Sequence, residues 1–409
     1  MTSLQKITRR IDSYRDAMIN MQIKLCALPA IAPSNGGQGE VKKAEFLLNF
    51  LKESGFADIQ YIKAPDMDSP DGYRPSILAH YPGKKADKTI WVMTHMDVVP
   101  PGELAQWRGD PYKAWIEGGK IFGRGVEDNQ QDMVASLYAI KAFREEGIKP
   151  NFRLAVALVS DEETGNIKGI DYVLRTTEAF SPRDMIIVPD AGNEKGTLIE
   201  VAEKSILWLK FKTIGRQAHG STPTKGINSF KAASYLTVEL DKLYQKFGLR
   251  DRLFEPPVST FEPTKKEANV PNVNTIPGED IFYMDCRLLP QYSIPDVEKE
   301  IRKAARKIES RFRVSIEIEK KQAATAAPPT SAKAPVVMAL KKAIKEIYGE
   351  DGKPRGIGGG TVAAFFRHAG FPAAVWSRVD ETAHQPNEYC HIDNMLGDAK
   401  VFAHVFLQE

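Results

Sequence analysis

Apolar runs of strand length alternate with stretches of helical periodicity along the first half of the chain. Residues 88–94, 152–160, 185–189 and, much later, 373–377 are short and rich in apolar side chains, which suits strands buried on both faces. Between them, residues 41–54, 130–146 and 168–175 repeat apolar positions every three or four residues, as a helix with one covered face does. This alternation predicts a mainly parallel sheet covered by helices, an α/β fold.

From Lys204 the texture changes. Leu207, Leu209 and Phe211 alternate with other side chains, and Phe230, Ala233, Leu236, Leu240 and Leu243 then follow at helical spacing. A strand pattern over 281–289, a helix through Val297, Ile301, Ala304 and Ile308, and the alternation Phe312, Val314, Ile316, Ile318 come next. With a short strand near Val273, the order is βαββαβ, a ferredoxin-like unit. Residues 323–335, rich in Ala and Pro, are expected to form a hinge, after which helices at 336–348 and 361–369 resume the first texture. The predicted organisation is one α/β domain, residues 1–203 and 323–409, interrupted by an inserted unit at 204–322.

Composition adds exclusions. A chain of 409 residues with 42% hydrophobic and 27% charged residues is that of a folded protein too long for a single ordinary core. The net charge of +3 comes from dispersed Lys, Arg, Asp and Glu, so neither a nucleic-acid stripe nor an anionic membrane surface is implied. Cys26, Cys286 and Cys390 are odd in number and in no metal or redox spacing, which fits buried thiols in a reducing cytosol. No run reaches membrane-spanning length and residues 1–30 lack a signal-peptide core, so a cytoplasmic location is expected.

Candidate chemistry collects after the apolar runs. His95 and Asp97 follow 88–94, Glu162 and Glu163 follow 152–160, and Asp190 follows 185–189. In an open α/β sheet the carboxyl ends of parallel strands share one edge, so donors far apart in sequence converge there. Asp128, after the turn Gly123-Arg124-Gly125, and His384, after 373–377, complete a set of five oxygen and nitrogen donors with a spare glutamate, the raw material of a two-metal hydrolase. Taken singly, each has a plainer account. Asp128 would serve equally as a helix N-cap, and adjacent acids such as Glu162-Glu163 are common on surfaces. In the pair His95-Met96-Asp97, the Asp97 carboxylate is placed to orient the His95 ring.

Taken together, His95-Met96-Asp97, Gly123-Arg124-Gly125 leading to Asp128, Glu162-Glu163, Asp190, His219-Gly220 and His384-Gln385-Pro386-Asn387-Glu388 resemble the co-catalytic zinc hydrolases of metallopeptidase family 20. That family includes acetylornithine deacetylase, succinyl-diaminopimelate desuccinylase, aminoacylase and dipeptidase members. The resemblance implies that Asp128 bridges two divalent metal ions, zinc first with cobalt or manganese as alternatives. His95 and Asp190 would complete one site, Glu163 and His384 the other, with Glu162 as catalytic base. It also implies a cis peptide after Asp128. The inserted βαββαβ unit would be a lid and dimerisation domain of a homodimer, with His219 reaching the partner's active site.

Asn274 looks like the lid asparagine that contacts substrate. Arg287, whose side chain alternation turns away from the lid core, is either solvated or, as the resemblance implies, grips a substrate carboxylate through two N–H donors. The turn Gly358-Gly359-Gly360-Thr361 before a helix is a flexible loop or an anion site, with Gly359, Gly360 and Thr361 as its contacts.

The chain departs from the family pattern in two places. Val362-Ala363-Ala364-Phe365 stands where deacylases often carry Ser-Asp and then arginine, and Asn129-Gln130-Gln131 stands where relatives often carry lysine and glycine. The substrate expected is a small peptide or an N-acyl amino acid. Aspartate at position 190 resembles members that act on a free amino end and favours a dipeptidase or aminopeptidase. The chain length and compact insertion resemble the deacetylase and desuccinylase branch. A non-catalytic binding protein on the same fold is the remaining class, and filled ligand positions argue against it.

Overall fold

The computed structural model describes residues 1–408. Its polypeptide divides into two compact units: Met1–Val201 with Pro329–Arg355 and Thr361–Glu409, and Ala202–Pro328 with Gly356–Gly360. Among the described residues no helix is long and apolar enough to cross a membrane.

The larger unit is built on a mainly parallel sheet. Lys85–His95, Phe152–Val159, Met185–Val188 and Ala373–Val375 form its parallel core, with His95 opposite Val159, Val92 opposite Ile187 and Val375 opposite Val188. Antiparallel strands flank it: Tyr73–Tyr81 and Ala57–Pro65 on one side, Leu198–Glu203 on the other, with Lys353–Ile357 beyond. The core strands are apolar without alternation because both faces are covered; from Ile90 to His95 every residue is buried. On one face Trp91, Ile186, Val188, Ala373 and Val375 pack with Ile170, Val173 and Phe366. Trp91 and Phe180 meet at 4.6 Å between ring centres, and the indole N–H donates to Asp184 at 3.1 Å. Truncating so large a buried side chain typically costs about 3–5 kcal/mol.

The helices Gln131–Glu145 and Ile392–Phe406 are buried along most of their length, polar residues such as Asp132 and Asp398 included, and Phe143 and Phe406 meet between them. Because the core strands run parallel, the ends of 85–95, 152–159, 185–188 and 373–375 open at one edge. His95, Glu162, Glu163 and Asp190 follow three of those ends closely, His384 comes nine residues after the fourth, and Asp128 arrives from a separate sheet, after the short strand Lys120–Phe122.

The smaller unit is a four-stranded antiparallel sheet in the order Thr260–Lys266, Glu279–Leu288, Ser205–Ile214, Ser315–Ala324, with the helices Ser229–Leu240 and Ile294–Phe312. Its core comes from the expected alternations: Leu207, Leu209 and Phe211 face Phe282, Met284, Cys286 and Leu288, and Phe211 stacks on Phe282 at 4.7 Å. The Ser293 hydroxyl caps the second helix through the Asp296 N–H, and Arg313 ends it in the left-handed region.

Two expectations are corrected. The strand expected near Val273 is not in this sheet; Thr275–Ile276 instead pairs with Ala218–His219 as a separate ribbon, and the fourth strand is Thr260–Lys266. That edge strand contains Pro263, Lys265 and Lys266 and buries Phe261 but not the residues after it, so it carries no clean period. The helix expected at 361–369 is likewise shorter, Ala363–His368.

Candidate active site

His95 ends the strand Lys85–His95 and is buried. Its Nδ1 lies 3.0 Å from the Asp97 carbonyl oxygen, which can only accept, so Nδ1 carries a proton and Nε2 is the nitrogen turned to the site. Nε2 faces Asp128 Oδ1 at 2.9 Å and Asp190 Oδ1 at 3.4 Å. The other oxygen of Asp128, Oδ2, lies 3.1 Å from His384 Nε2, which in turn lies 3.1 Å from Glu163 Oε2. Asp128 therefore stands between two imidazoles, each with one further carboxylate. Three overlapping sets, His95-Asp128-Asp190, His95-Glu162-Glu163 and Asp128-Glu163-His384, each place one ligand atom per residue within 4.8 Å of the others.

Local backbone explains the placement. Gly125 is left-handed at φ 84, and the Cβ of any other residue there would meet Val98 at 2.6 Å. The chain then makes the cis Asp128–Asn129 peptide before the helix Gln131–Glu145. The Asn129 side chain accepts the His95 backbone N–H at 3.1 Å and donates to the Pro189 carbonyl at 3.3 Å, tying the three ligand segments together.

The Asp97 carboxylate does not do what the sequence suggests. Its oxygens accept the backbone N–H groups of Glu162 at 3.2 Å and Glu163 at 3.0 Å, while the nearest approach to His95 Nδ1 is 3.7 Å. The backbone carbonyl, not the carboxylate, orients the ring, because the chain leaves the strand at His95 and the side chain beyond turns to the next strand end.

Electrostatics follow from packing so many acids into one place. Burial pushes the Glu162 carboxyl well up, and the neighbouring Asp190, Glu163 and Asp97 charges add to it. Burial also works against the charged forms of Asp128 and His95. For Asp128, hydrogen bonds from His384 and His95 prevail and hold it well below the usual carboxylate range; for His95, hydrogen bonds to Asp128 and Asp190 prevail and raise it. Hydrogen bonds to Asp128 and Glu163 lift the His384 imidazole to about 10. Each imidazole is drawn to its positive form by surplus negative charge, which is the field a bound cation would occupy.

Other charged groups with no role in the sequence reading hold this geometry. Glu388, fully buried, accepts N–H groups of Gly125, Glu127 and Asp128 and pairs with Arg124 at 2.6 Å. Arg74 forks onto Glu40 and reaches Asp161 at 3.4 Å, at the start of the Glu162–Thr164 turn. Arg124 and Glu388 lie inside motifs that drew attention for other residues; nothing local marks them as a buried pair.

In the smaller unit, His219 is exposed, with Nδ1 2.7 Å from the Ser221 hydroxyl. Asn274 is exposed and accepts from Asn272. The Arg287 fork, expected to be solvated or open to a substrate carboxylate, is engaged within the protein: Nε and Nη2 donate to Asp285 at 2.7 and 2.9 Å, and Nη1 donates to the Gly358 carbonyl at 3.0 Å. Gly359 and Gly360 belong to the smaller unit, and Thr361 to the larger, where its hydroxyl lies 3.5 Å from Glu200. The six-residue helix after them is too short for a strong N-terminal field.

Residues 91–408 match Peptidase family M20/M25/M40. The chain belongs to this family. It is 39% identical over 410 residues to an uncharacterized metallohydrolase of Methanococcus maripaludis, covering 95% of this chain and 98% of the relative. It is 28% identical over 293 residues to the succinyl-diaminopimelate desuccinylase of Stenotrophomonas maltophilia, covering 70% of this chain and 72% of that one. Among solved structures, human carnosine dipeptidase 1 shares the fold with a TM-score of 0.75 at 18% identity, covering 100% of this chain and 98% of that chain.

As an M20 member the chain is a metal-dependent hydrolase, and its donor set fits that role. Tetrahedral ligands about 2.05 Å from an ion lie roughly 3.3 Å apart, and the His95, Asp128, Asp190, Glu163 and His384 atoms face one another at 2.9–3.4 Å. Histidine nitrogen with carboxylate oxygen suits zinc, cobalt or manganese and is wrong for a thiolate-selected metal.

Proposed function

We propose that this M20 hydrolase cleaves the amide bond of a small substrate that carries a free carboxylate, with dipeptides and the amino-terminal bond of short peptides as its first substrates. His95 and Asp190 would hold one ion, Glu163 and His384 the other, with Asp128 shared. Zinc is the first choice. Bound there, the ions would polarise the amide carbonyl and make water acidic enough to attack near neutral pH.

What the chain's own groups contribute is orientation and proton transfer. Glu162, whose backbone N–H rests on Asp97, takes the proton of the attacking water on its carboxylate and returns it to the leaving amine. Asp97 keeps that turn in register. His219, supplied by a second copy of the chain in a homodimer, would stabilise the developing oxyanion. Arg287 and Asn274 would meet the substrate's carboxylate end, together with the Gly359, Gly360 and Thr361 turn. Because Asp285 already engages two Arg287 donors, a substrate carboxylate would use the remaining hydrogens of Nη1 and Nη2.

Asp190 carries the choice of substrate. It is the shorter carboxylate at the position where the family's resemblance associates aspartate with substrates having a free amino end, and its Oδ1 lies 3.4 Å from His95 Nε2. A dipeptidase is among the solved structures that share the fold. The desuccinylase relative, with its higher sequence identity, supports a second one: deacylation of an N-acyl amino acid. Parallel assays on dipeptides and on N-acetyl and N-succinyl amino acids decide between them. Turnover of dipeptides is expected, and hydrolysis confined to the acyl substrates would overturn the first reading.

A further inference from the structure

The segments that carry Asp128 and His384 exchange carboxylates. Glu127 reaches toward the His384 segment, where its Oε1 accepts the Asp380 N–H at 2.7 Å and its Oε2 accepts the Thr382 N–H and lies 2.8 Å from the Thr382 hydroxyl. Glu388, beyond His384, reaches the other way. Its Oε1 accepts the N–H groups of Glu127 and Asp128 at 2.9 and 3.1 Å, and its Oε2 accepts the Gly125 N–H at 3.0 Å and pairs with Arg124. Both carboxylates are buried, at 4% and 0% exposure.

The His384 segment needs this outside support. Glu381, His384 and Asn387 have φ values of 59, 63 and 60, in the left-handed region that glutamate and histidine rarely adopt. Its imidazole is also 55% exposed, so packing alone does not fix it. His95, by contrast, is buried at the end of a central strand, with its ring nitrogen on a carbonyl and its N–H on Asn129.

We propose that Glu127 and Glu388 form a two-way clamp that sets the His384 to Asp128 separation, with the Glu127 arm serving the Asp128-Glu163-His384 cation site alone and the Glu388 arm serving both sites through Asp128. This rests on the two-cation reading above. The physical reason is that a ligand's affinity for an ion depends on how little it must be reoriented, and buried carboxylates accepting several N–H groups fix backbone more firmly than a turn can by itself.

The test is a titration of the full-length chain, depleted by chelator, with Co2+ alone. Visible absorption reports the coordination, and equilibrium dialysis reports the bound ions. The unsubstituted chain should bind two. Glu127→Gln replaces one acceptor oxygen with a donor facing N–H groups, and should leave one ion as tight as before while weakening the other by about tenfold to a hundredfold. Glu388→Gln should weaken both. Thr382→Val removes the hydroxyl that meets Glu127 and also the Tyr389 backbone, leaves the Thr382 N–H on Glu127, should reproduce the selective loss at about threefold, and keeps the test available if the glutamate variants do not fold. Two ions bound as tightly in folded Glu127→Gln as in the unsubstituted chain would overturn the clamp, as would equal weakening of both. Fewer than two ions on the unsubstituted chain would overturn the two-cation reading itself, a result separate from any variant.

Discussion

Arg74 is the position at which one substitution should test both the folding energetics and the site. Its guanidinium is 2% exposed and forks onto the fully buried Glu40, with Asp161 at 3.4 Å and Asp66 at 3.8 Å. Arg74→Met keeps most of the volume and removes the charge. Glu40, Asp66 and Asp161 would then face one another in the interior with only Lys168, on Asp66, as a bonded cation. An exposed ion pair contributes about 0–1 kcal/mol, but stripping one partner from a buried pair costs about 3–5 kcal/mol, because the other charge stays out of water. Against a typical folding stability of roughly 5–15 kcal/mol this is a large share.

The same change reaches the chemistry. Asp161 is left-handed at φ 63 and opens the Glu162–Thr164 turn, where its Oδ2 accepts the Lys168 N–H at 2.8 Å. Without Arg74 the carboxylate would relax toward solvent and loosen the turn that presents Glu162 and Glu163, so kcat should fall alongside stability. Urea unfolding followed by tryptophan emission is the assay; Trp91, Trp107, Trp115 and Trp376, four of the five tryptophans, lie in the larger unit. A midpoint shift equivalent to less than about 1 kcal/mol would refute the reasoning. The double variant Glu40→Gln with Arg74→Met removes both charges and should recover part of the loss. A double variant as unstable as the two single losses added together would show that buried charge was not the cause.

Three further outcomes are expected. Glu162→Gln should retain its metal and lose about 10²–10⁴ in kcat, the usual contribution of a positioned general base, so full turnover with metal bound would remove Glu162 from that role. His219→Ala should cut turnover with little loss of metal, and mixing it with Glu162→Gln should restore some activity in heterodimers; no restoration would count against a shared site. Lys43 is fully buried with no hydrogen-bond partner for its ammonium, and burial lowers it to about 8. Between that value and about 10.4 the unfolded chain holds a proton that the folded chain has released, so stability should rise with pH across that window and Lys43→Met should flatten the rise. A profile unchanged by the substitution would contradict this.

Much of the larger unit was legible because its core strands are buried on both faces. Residues 88–94, 152–160 and 185–189 read as strands from continuous apolar character, and Lys85–His95, Phe152–Val159 and Met185–Val188 are the strands observed. The edge strand Thr260–Lys266 was not legible, since an exposed edge can carry Pro263 and two lysines without penalty and loses the alternation that marks a half-buried strand. For the site, residue type and strand-end position pointed to the donors that the structure brings within a few ångströms. The buried pairs Arg74–Glu40 and Arg124–Glu388 were silent because their partners are 34 and 264 residues apart, and a charged residue in sequence reads as solvated until the fold closes over it.

The acids around this site have two kinds of work, which residue type does not distinguish. Asp128, Glu163 and Asp190 turn their oxygens toward imidazole nitrogens, whereas Asp97, Glu127 and Glu388 turn theirs toward backbone N–H groups of the neighbouring ligand segments. The second group is needed because the donors sit just past strand ends, where the ladder of backbone hydrogen bonds has stopped and buried N–H groups must find another acceptor. A carboxylate that accepts two or three of them satisfies the backbone and fixes the loop at once. It also adds negative charge, only part of which Arg74 and Arg124 offset. Of the three acids in this second group, Asp97 adds to the negative charge that raises Glu162, whereas the two imidazoles are drawn to their positive form by the carboxylates that face them, Asp128, Asp190 and Glu163; one set of acids makes the loops rigid and the other makes the centre of the site attractive to divalent cations.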